Sequence, residues 1–323
     1  MCRDSLTTVT TNKDDITRLA SAEEDVLVHS GYAQTDDGLS LHWRTVGTGP
    51  LIVCCNGVGV GTFFWKYLTA HFCDQHTVLL WDYRGHGRSD RRIDPHTANM
   101  RIERHADDLA TVLDAAAQVR PDLRDQPALL VGHSMGCQVA LETRRRHPER
   151  VGGLVLMLGT AGRALQTFFD NPRSPSFFQM AHRIIFKSGE RANELVKPLL
   201  ESPLAWKVAT RFSLVDPYYT KQEDMLPYME HLATLDQRLF IENVLRTDDH
   251  DAWDLLPDLD RPLLVIAAEN DKFTPMWCSE KMVDQTPGAE LLILADASHA
   301  ALIEQPETIN HRVARFINER MWR

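Results

Sequence analysis

The 323-residue sequence has few basic residues for its length and no long apolar run. Its 35 Lys and Arg are outnumbered by 45 Asp and Glu, which gives a formal net charge of -10. Phosphate binding relies on clustered Lys and Arg, so this balance argues against a nucleic-acid partner. The basic cluster Arg144-Arg145-Arg146-His147 is better explained as the solvated C-terminal end of a helix. No stretch approaches the ~20 apolar residues that a membrane span requires.

The sequence contains six cysteines, and none has the spacing of a disulfide framework or a zinc site. Cys54 and Cys55 are adjacent in a predicted strand, so their side chains should point to opposite faces of a sheet. Residues 1–24 are polar, have no sustained periodicity and lack the apolar centre of a secretion signal. We therefore expect a loose N-terminal arm and a cytoplasmic protein with reduced cysteines. We expect neither a metal nor a cofactor.

Most of the chain alternates between predicted strands and helices. A hairpin comes first, with strands at about 26–34 and 39–46 joined by Asp36-Asp37-Gly38. Further strands are predicted at 51–55, 77–81, 128–132, 151–158, 262–268 and 290–294, and helices at 63–72, 101–119, 135–147, 276–285 and 303–320. This order predicts an α/β fold: a mostly parallel, eight-stranded sheet with helices on both faces.

The alternation stops between residues 159 and 262, where no comparable strand is found. A structureless loop of that length would be anomalous inside a compact domain. Helix-like segments separated by prolines fill the interval, so we interpret 159–262 as a helical lid inserted into the sheet domain. The expected organisation is an arm at 1–24, a core formed by 25–158 and 263–323, and the lid. The oligomeric state stays open.

The segment Gly132-His133-Ser134-Met135-Gly136 follows a predicted buried strand and opens a predicted helix. Flanking glycines allow a sharp, strained turn to close there without Cβ clashes. Such a turn exposes a serine oxygen at the carboxyl ends of the strands, where open α/β sheets bind ligands. Ser134 is therefore the candidate nucleophile.

A serine hydroxyl needs a base, and position selects it among 14 histidines. His299 lies five residues after the last predicted strand and just before the final helix, again at the carboxyl edge. His86 and His133 lie inside motifs whose neighbours have clearer roles. His105 and His147 fall on helices, where we expect them to be partly exposed or to cap the helix.

A third group must hold the base in one tautomer. Asp271 comes three residues after the strand that ends at Ala268, and it is the favoured acid. Glu269 is nearer to that strand, and Asp296 precedes His299. Both remain competing candidates.

The oxyanion formed in such a reaction needs two N–H donors. One is expected from Met135, the residue after the nucleophile, and the other from Val58 in the glycine-rich loop at residues 56–61. This loop lacks the Lys-Ser/Thr ending of a phosphate-binding P-loop and the spacing of a dinucleotide-binding loop.

Taken together, these segments resemble the α/β-hydrolase superfamily with a lid, over about residues 26–320. The resemblance is specific for fold and catalytic residues and weak for substrate. The motifs that carry it occur in the family's order: GHSMG (132–136), WDYRGHGRSD (81–90), AENDKFTP (268–275) and ASHAALIEQPE (297–307).

The same resemblance implies that Asp82, Arg84 and Glu304 are scaffold residues that stabilise loops. Asn56 departs from the family's pattern, because many members carry His there. Cys137 stands where Gly or Ala is common, and we interpret it as a small residue that packs a helix tightly onto the sheet.

The implied activity is hydrolysis of a carboxylic ester through an acyl-enzyme on Ser134. A thioester, lactone or C–C bond, a proline iminopeptidase-like substrate, and a cofactor-free haloperoxidase-like reaction are the alternatives. Epoxide hydrolases and haloalkane dehalogenases of this fold carry Asp at the nucleophile position, which Ser134 argues against. A catalytically dead receptor would show a lesion in these motifs, and none is visible.

The expected substrate is a small molecule with a small to medium apolar acyl group, because the lid segment is rich in large apolar side chains. Most of these should pack the lid itself, and some should line a cleft above Ser134 together with Phe63, Phe64 and Trp65. The lid residues are Phe168, Phe169, Phe177, Phe178, Met180, Ile184, Ile185, Phe186, Trp206, Phe212, Tyr218, Tyr219, Met225, Tyr228, Met229 and Phe240.

Overall fold

The structure, a computed structural model, describes residues 26–211 and 215–321. Eight strands form one sheet in the spatial order β1-β2-β4-β3-β5-β6-β7-β8. They are β1 (Val28–Gln34), β2 (Ser40–Val46), β3 (Leu51–Cys55), β4 (Thr77–Trp81), β5 (Ala128–His133), β6 (Val151–Met157), β7 (Leu263–Ala268) and β8 (Glu290–Leu294). The predicted N-terminal arm, Cys2 and Phe212 lie outside the described residues.

Only β2 runs against its neighbours β1 and β4, and the other neighbouring pairs are parallel. β3, β5 and β7 are buried along their whole length, as expected for apolar strands covered on both faces. The prediction of a mostly parallel, eight-stranded sheet is confirmed.

Helices cover both faces of the sheet. The described helices are α1 (Lys66–Phe72), α2 (Ile102–Val119), α3 (Met135–Arg146), α4 (Ser174–Ser188), α5 (Arg191–Leu200), α6 (Pro203–Arg211), α7 (Gln222–Thr234), α8 (Gln237–Asp249), α9 (Met276–Gln285), α10 (Ala301–Glu304) and α11 (Pro306–Arg320). α2, α3 and α9 pack on the face that holds Cys55, and α1 and α11 pack on the face that holds Cys54. The two adjacent cysteines thus point to opposite faces, as predicted.

The final helix, predicted at about 303–320, begins at Pro306. The chain forms the single turn α10 and then α11, with Gln305 between them at φ -130 and ψ 52. Pro306 explains the break, because proline has no N–H to continue a helix and disfavours helical backbone in the preceding residue.

The five helices α4 to α8 lie between β6 and β7, in the interval predicted to be helical. Three residues from this interval, Ala209, Val215 and Met225, join the apolar cluster on the Cys54 face of the sheet. The inserted helices therefore rest on the sheet domain near the carboxyl ends of its strands, where the candidate residues also lie.

Candidate active site

Ser134 occupies the turn between β5 and α3 with φ 55 and ψ -120, a conformation that costs a non-glycine residue free energy. Two glycines make the turn possible. A Cβ on Gly132 would collide with the backbone of Gly136, and one on Gly136 would collide with the carbonyl of Cys55. The predicted strained turn is therefore present, and it holds the Ser134 hydroxyl beyond the end of the strand.

The structure brings Ser134, His299 and Asp271 into one hydrogen-bonded chain. The Ser134 Oγ is 3.0 Å from Nε2 of His299, and Nδ1 of His299 is 2.8 Å from Oδ2 of Asp271. A hydroxyl, an imidazole and a carboxylate in this order can transfer a proton from the serine to the histidine.

Asp271 is 3% exposed, and its carboxylate accepts several hydrogen bonds. Oδ1 accepts from the backbone N–H groups of Phe273 (2.8 Å) and Thr274 (3.0 Å), and Oδ2 accepts from the Thr274 hydroxyl (2.8 Å). With His299 as the remaining donor, the carboxylate acts only as an acceptor. This arrangement orients the imidazole with its Nδ1–H toward Asp271.

The competing acids lie elsewhere. The carboxylate of Glu269 accepts a hydrogen bond from the backbone N–H of Asp296 at 3.3 Å, and both side chains are exposed. Within the described residues, Asp271 is the carboxylate bonded to His299.

His133 is a site residue that the sequence reasoning missed. Its Nε2 is 3.0 Å from the carbonyl oxygen of His299, and the two ring centroids are 5.0 Å apart. Burial, and secondarily the neighbouring His299, lower the pKa of His133 to about 3. The neutral ring therefore donates its Nε2–H to the His299 carbonyl and holds the loop that carries His299. Its place inside GHSMG was visible, but its distant partner was not.

The two predicted N–H donors flank the same space. Met135 is the first residue of α3, so its N–H has no helical carbonyl to bond. Val58 lies in the loop opposite, and both residues line the cavity beside Ser134. Their assignment to the oxyanion stays a prediction.

Asn56 anchors the loop that carries Val58. Its Nδ2 donates to the carbonyl of Trp81 (2.7 Å), its Oδ1 accepts from the Trp65 indole (2.6 Å), and its backbone carbonyl accepts from the Tyr83 hydroxyl (2.9 Å). Asn56 is 1% exposed. The departure from the family's His thus supplies an amide that ties the loop to the sheet.

A cavity of about 340 Å³ opens above Ser134, and its wall is mainly apolar. Phe64 lines it as expected, whereas Trp65 is buried against Asn56 and Phe63 packs on His231. The predicted lid residues that line the cavity are Phe168, Phe178, Met225, Tyr228, Met229 and Phe240. Others from the same prediction point to solvent instead, namely Phe169, Phe177, Met180, Ile184, Tyr218 and Tyr219.

The two histidines predicted to lie on helices, His105 and His147, have different surroundings. His147 is the C-terminal cap of α3 and lies 2.9 Å from Asp107, as expected. The prediction for His105 was wrong, because it is fully buried with Nε2 3.2 Å from Oδ1 of Asn243 on α8. The α2 pattern did not reveal that the inserted helices cover this position.

The residues expected to stabilise loops do so. Asp82 accepts from the backbone N–H of Arg88 at 3.0 Å. The guanidinium of Arg84 is buried between Asp108 and Asp37, and these carboxylates raise its pKa even though burial opposes this.

Cys137 is fully buried in α3 against the sheet, and burial raises the pKa of its thiol.

Within residues 26–211 and 215–321, no group of three or more His, Cys, Asp or Glu side chains is arranged to hold a metal ion. Among the described helices, none is long and apolar enough to cross a membrane.

The sequence matches the Alpha/beta hydrolase family over residues 52–312, so the chain belongs to that family. A relative from Azorhizobium caulinodans named as carbamate hydrolase RutD is 28% identical over 292 residues, which are 89% of this chain and 98% of the relative.

Solved structures agree on the fold. A hydrolase from Pseudomonas aeruginosa superposes with a TM-score of 0.71 at 22% identity, covering 90% of this chain and 98% of its own. A thermophilic esterase from Thermogutta terrifontis superposes with a TM-score of 0.69 at 21% identity, and the match covers 90% of this chain and 98% of the esterase chain.

Proposed function

We propose that this protein is a serine hydrolase that cleaves a carboxylic ester with a small to medium apolar acyl group. The observation that carries the proposal is the hydrogen-bonded chain from Ser134 through His299 to Asp271, which opens into a mainly apolar cavity. In this proposal residues 159–262 act as the lid that closes the cavity.

The reaction has two halves. The Ser134 Oγ attacks the ester carbonyl while Nε2 of His299 takes the hydroxyl proton, and the N–H groups of Met135 and Val58 stabilise the oxyanion. The intermediate collapses, His299 returns the proton to the departing alcohol, and an acyl-enzyme remains on Ser134. A water molecule, deprotonated by His299, then attacks the acyl carbonyl. As the bond to Ser134 breaks, His299 returns this proton to Ser134 Oγ and the carboxylic acid leaves.

The apolar wall favours this substrate class. Transfer of each buried methylene from water contributes about 0.8 kcal/mol to binding, or roughly a fourfold gain in affinity. A cavity of about 340 Å³ has room for several methylenes. A substrate without an apolar group would leave most of this wall unused.

Carbamate hydrolysis is the second candidate, because the Azorhizobium caulinodans relative that spans 89% of this chain is named for it. A carbamate has the same carbonyl and leaving group as an ester, with nitrogen in place of the adjacent carbon. The same residues could attack it.

The test has two parts. A fluorophosphonate probe should label Ser134 in the wild type and in Ser176→Ala, a matched change of an exposed serine on α4, and should fail to label Ser134→Ala. Absence of labelling in folded wild-type protein would refute the serine mechanism.

The second part compares p-nitrophenyl hexanoate with p-nitrophenyl N-butylcarbamate, which has the same length and shape. We expect steady turnover of the ester. With the carbamate, we expect one rapid equivalent of p-nitrophenol and then slow release of further p-nitrophenol. Faster steady turnover of the carbamate would replace the ester proposal with the second candidate.

A further inference from the structure

The cavity wall contains a buried amide, Gln138, one turn of α3 beyond Ser134. Gln138 is 1% exposed. Four residues of helix correspond to ~6 Å along the axis, so this side chain lies close to the reacting carbonyl without reaching it.

The orientation of this amide is determined by its surroundings. Nε2 of Gln138 donates to the carbonyl oxygens of Gly162 (3.0 Å) and Thr247 (2.8 Å). Exchanging the amide nitrogen and oxygen would place an acceptor against two acceptors. The nitrogen therefore faces the two carbonyls, and Oε1 faces away from them.

Oε1 of Gln138 has no hydrogen-bond partner among the described residues. The nearby Thr247 hydroxyl does not supply a donor, because its proton goes to the carbonyl of Val244 (2.7 Å). A buried carbonyl oxygen without a donor is uncommon, since nothing replaces the water that it loses on burial.

We propose that Oε1 of Gln138 accepts a hydrogen bond from a neutral donor, a hydroxyl or an amide N–H, on the part of the substrate that fills the cavity. The substrate class is then an ester or lactone whose apolar portion carries one such donor near the scissile carbonyl. This inference rests on the proposed function and specifies its substrate further.

The fixed amide makes this selection directional. A site that presents only an acceptor favours a hydroxyl or N–H over an ether oxygen at the same place, because the ether leaves Oε1 unpaired. The two backbone carbonyls prevent the amide from turning to offer its nitrogen instead.

The experiment measures kcat/KM for ethyl hexanoate, ethyl 3-hydroxyhexanoate, ethyl 3-acetamidohexanoate and ethyl 3-methoxyhexanoate under identical conditions. We expect at least one donor-bearing ester to exceed the methoxy ester by about tenfold, the effect of one buried hydrogen bond. The hydroxyl and acetamido substrates distinguish the two kinds of donor.

Gln138→Met removes the amide at similar length and should bring the ratio of donor to methoxy ester close to one. Met229→Leu, a conservative change elsewhere in the cavity wall, should change the rates of both esters alike and keep the ratio. The ratio is measured within one protein, so loss of active enzyme cancels. If Gln138→Met does not fold, the wild-type ratio alone decides.

Equal rates for donor and methoxy esters in the wild type, with Ser134-dependent turnover of ethyl hexanoate, would overturn the Gln138 proposal and leave the proposed function intact. Absence of any ester turnover together with absence of fluorophosphonate labelling would overturn both.

Discussion

Glu304 holds Ser298, the residue before His299, through both oxygens of its carboxylate. Oε2 accepts from the Ser298 backbone N–H at 2.7 Å, and Oε1 accepts from the Ser298 hydroxyl at 2.6 Å. Oε1 also accepts from the N–H of Asp216 (2.8 Å) and the hydroxyl of Thr220 (2.9 Å) in the inserted segment. One buried carboxylate thus connects the loop of the proposed base to the proposed lid.

Glu304→Gln should lower the free energy of unfolding by about 1–3 kcal/mol, because an amide NH₂ would replace one of two oxygens that face only donors. Glu307→Gln, an exposed change of the same type on α11, should have little effect. Urea unfolding of the wild type, Glu304→Gln and Glu307→Gln measures the three free energies of unfolding. Equal midpoints for Glu304→Gln and the wild type would contradict the structural role.

Asp271→Asn should lower kcat by about 10³- to 10⁴-fold, because the amide no longer holds the His299 tautomer that accepts the serine proton. Glu269→Gln, an exposed acid near the same strand, should retain turnover close to the wild type. Steady-state kinetics on p-nitrophenyl hexanoate distinguishes them. If Glu269→Gln loses turnover while Asp271→Asn keeps it, the wrong acid was assigned.

The free energy of unfolding at acidic pH should depend on His231, a half-buried histidine of α7. Burial, and secondarily His86, lower the pKa of His231 to about 4, whereas an unfolded histidine titrates near ~6.5. Between about pH 6.5 and 4 the unfolded chain therefore binds a proton that the native protein does not. The free energy of unfolding should fall as the pH falls through this window.

His231→Gln should reduce this slope by about 1.2 kcal/mol per pH unit between pH 6 and 5, where the unfolded chain binds nearly one proton more than the native protein. The exposed His96→Gln serves as the control and should keep the wild-type slope. Urea unfolding at several pH values gives both slopes. An unchanged slope in His231→Gln would mean that this histidine does not remain neutral in the native state.

The apolar cavity predicts a chain-length optimum. For p-nitrophenyl esters, kcat/KM should rise from acetate to between butyrate and octanoate, by up to roughly fourfold per methylene, and then fall as the cavity fills. Ala205→Phe enlarges a small side chain in the cavity wall and should move the optimum to shorter chains. Acetate as the best substrate would contradict the apolar cavity, and palmitate as the best would indicate an open, lipase-like site.

Much of the fold was predictable because its signals are local. The apolar runs of β3, β5 and β7 indicated strands buried on both faces, and the glycines around Ser134 indicated a strained turn. The final helix starts at Pro306 rather than at about 303, because proline has no N–H to continue a helix from the turn before it.

The convergence of Ser134, His299 and an acid from the loops after β7 and β8 was also expected from the sequence alone. In a parallel sheet the residues after successive strands meet at one edge, so three positions after β5, β7 and β8 were expected to converge. The same rule could not choose among Asp271, Glu269 and Asp296, since all three follow those strands. In the structure Asp271 is the one of the three that lies beside His299, with Oδ2 2.8 Å from Nδ1 of the imidazole.

Only the tertiary structure decided what lies against each buried side chain. Periodicity shows that a position is covered, but not which distant group covers it, so the contact of His133 with the carbonyl of His299, 166 residues away, left no local signal. The unpaired Oε1 of Gln138 likewise depends on the Thr247 carbonyl, 109 residues along the chain, which takes the amide nitrogen. Sequence therefore determined the strands, the turn and the candidate reacting groups, because these depend on near neighbours and sheet topology. The shape of the cavity and the surroundings of Gln138 depend on how the inserted helices pack, which no local pattern specifies.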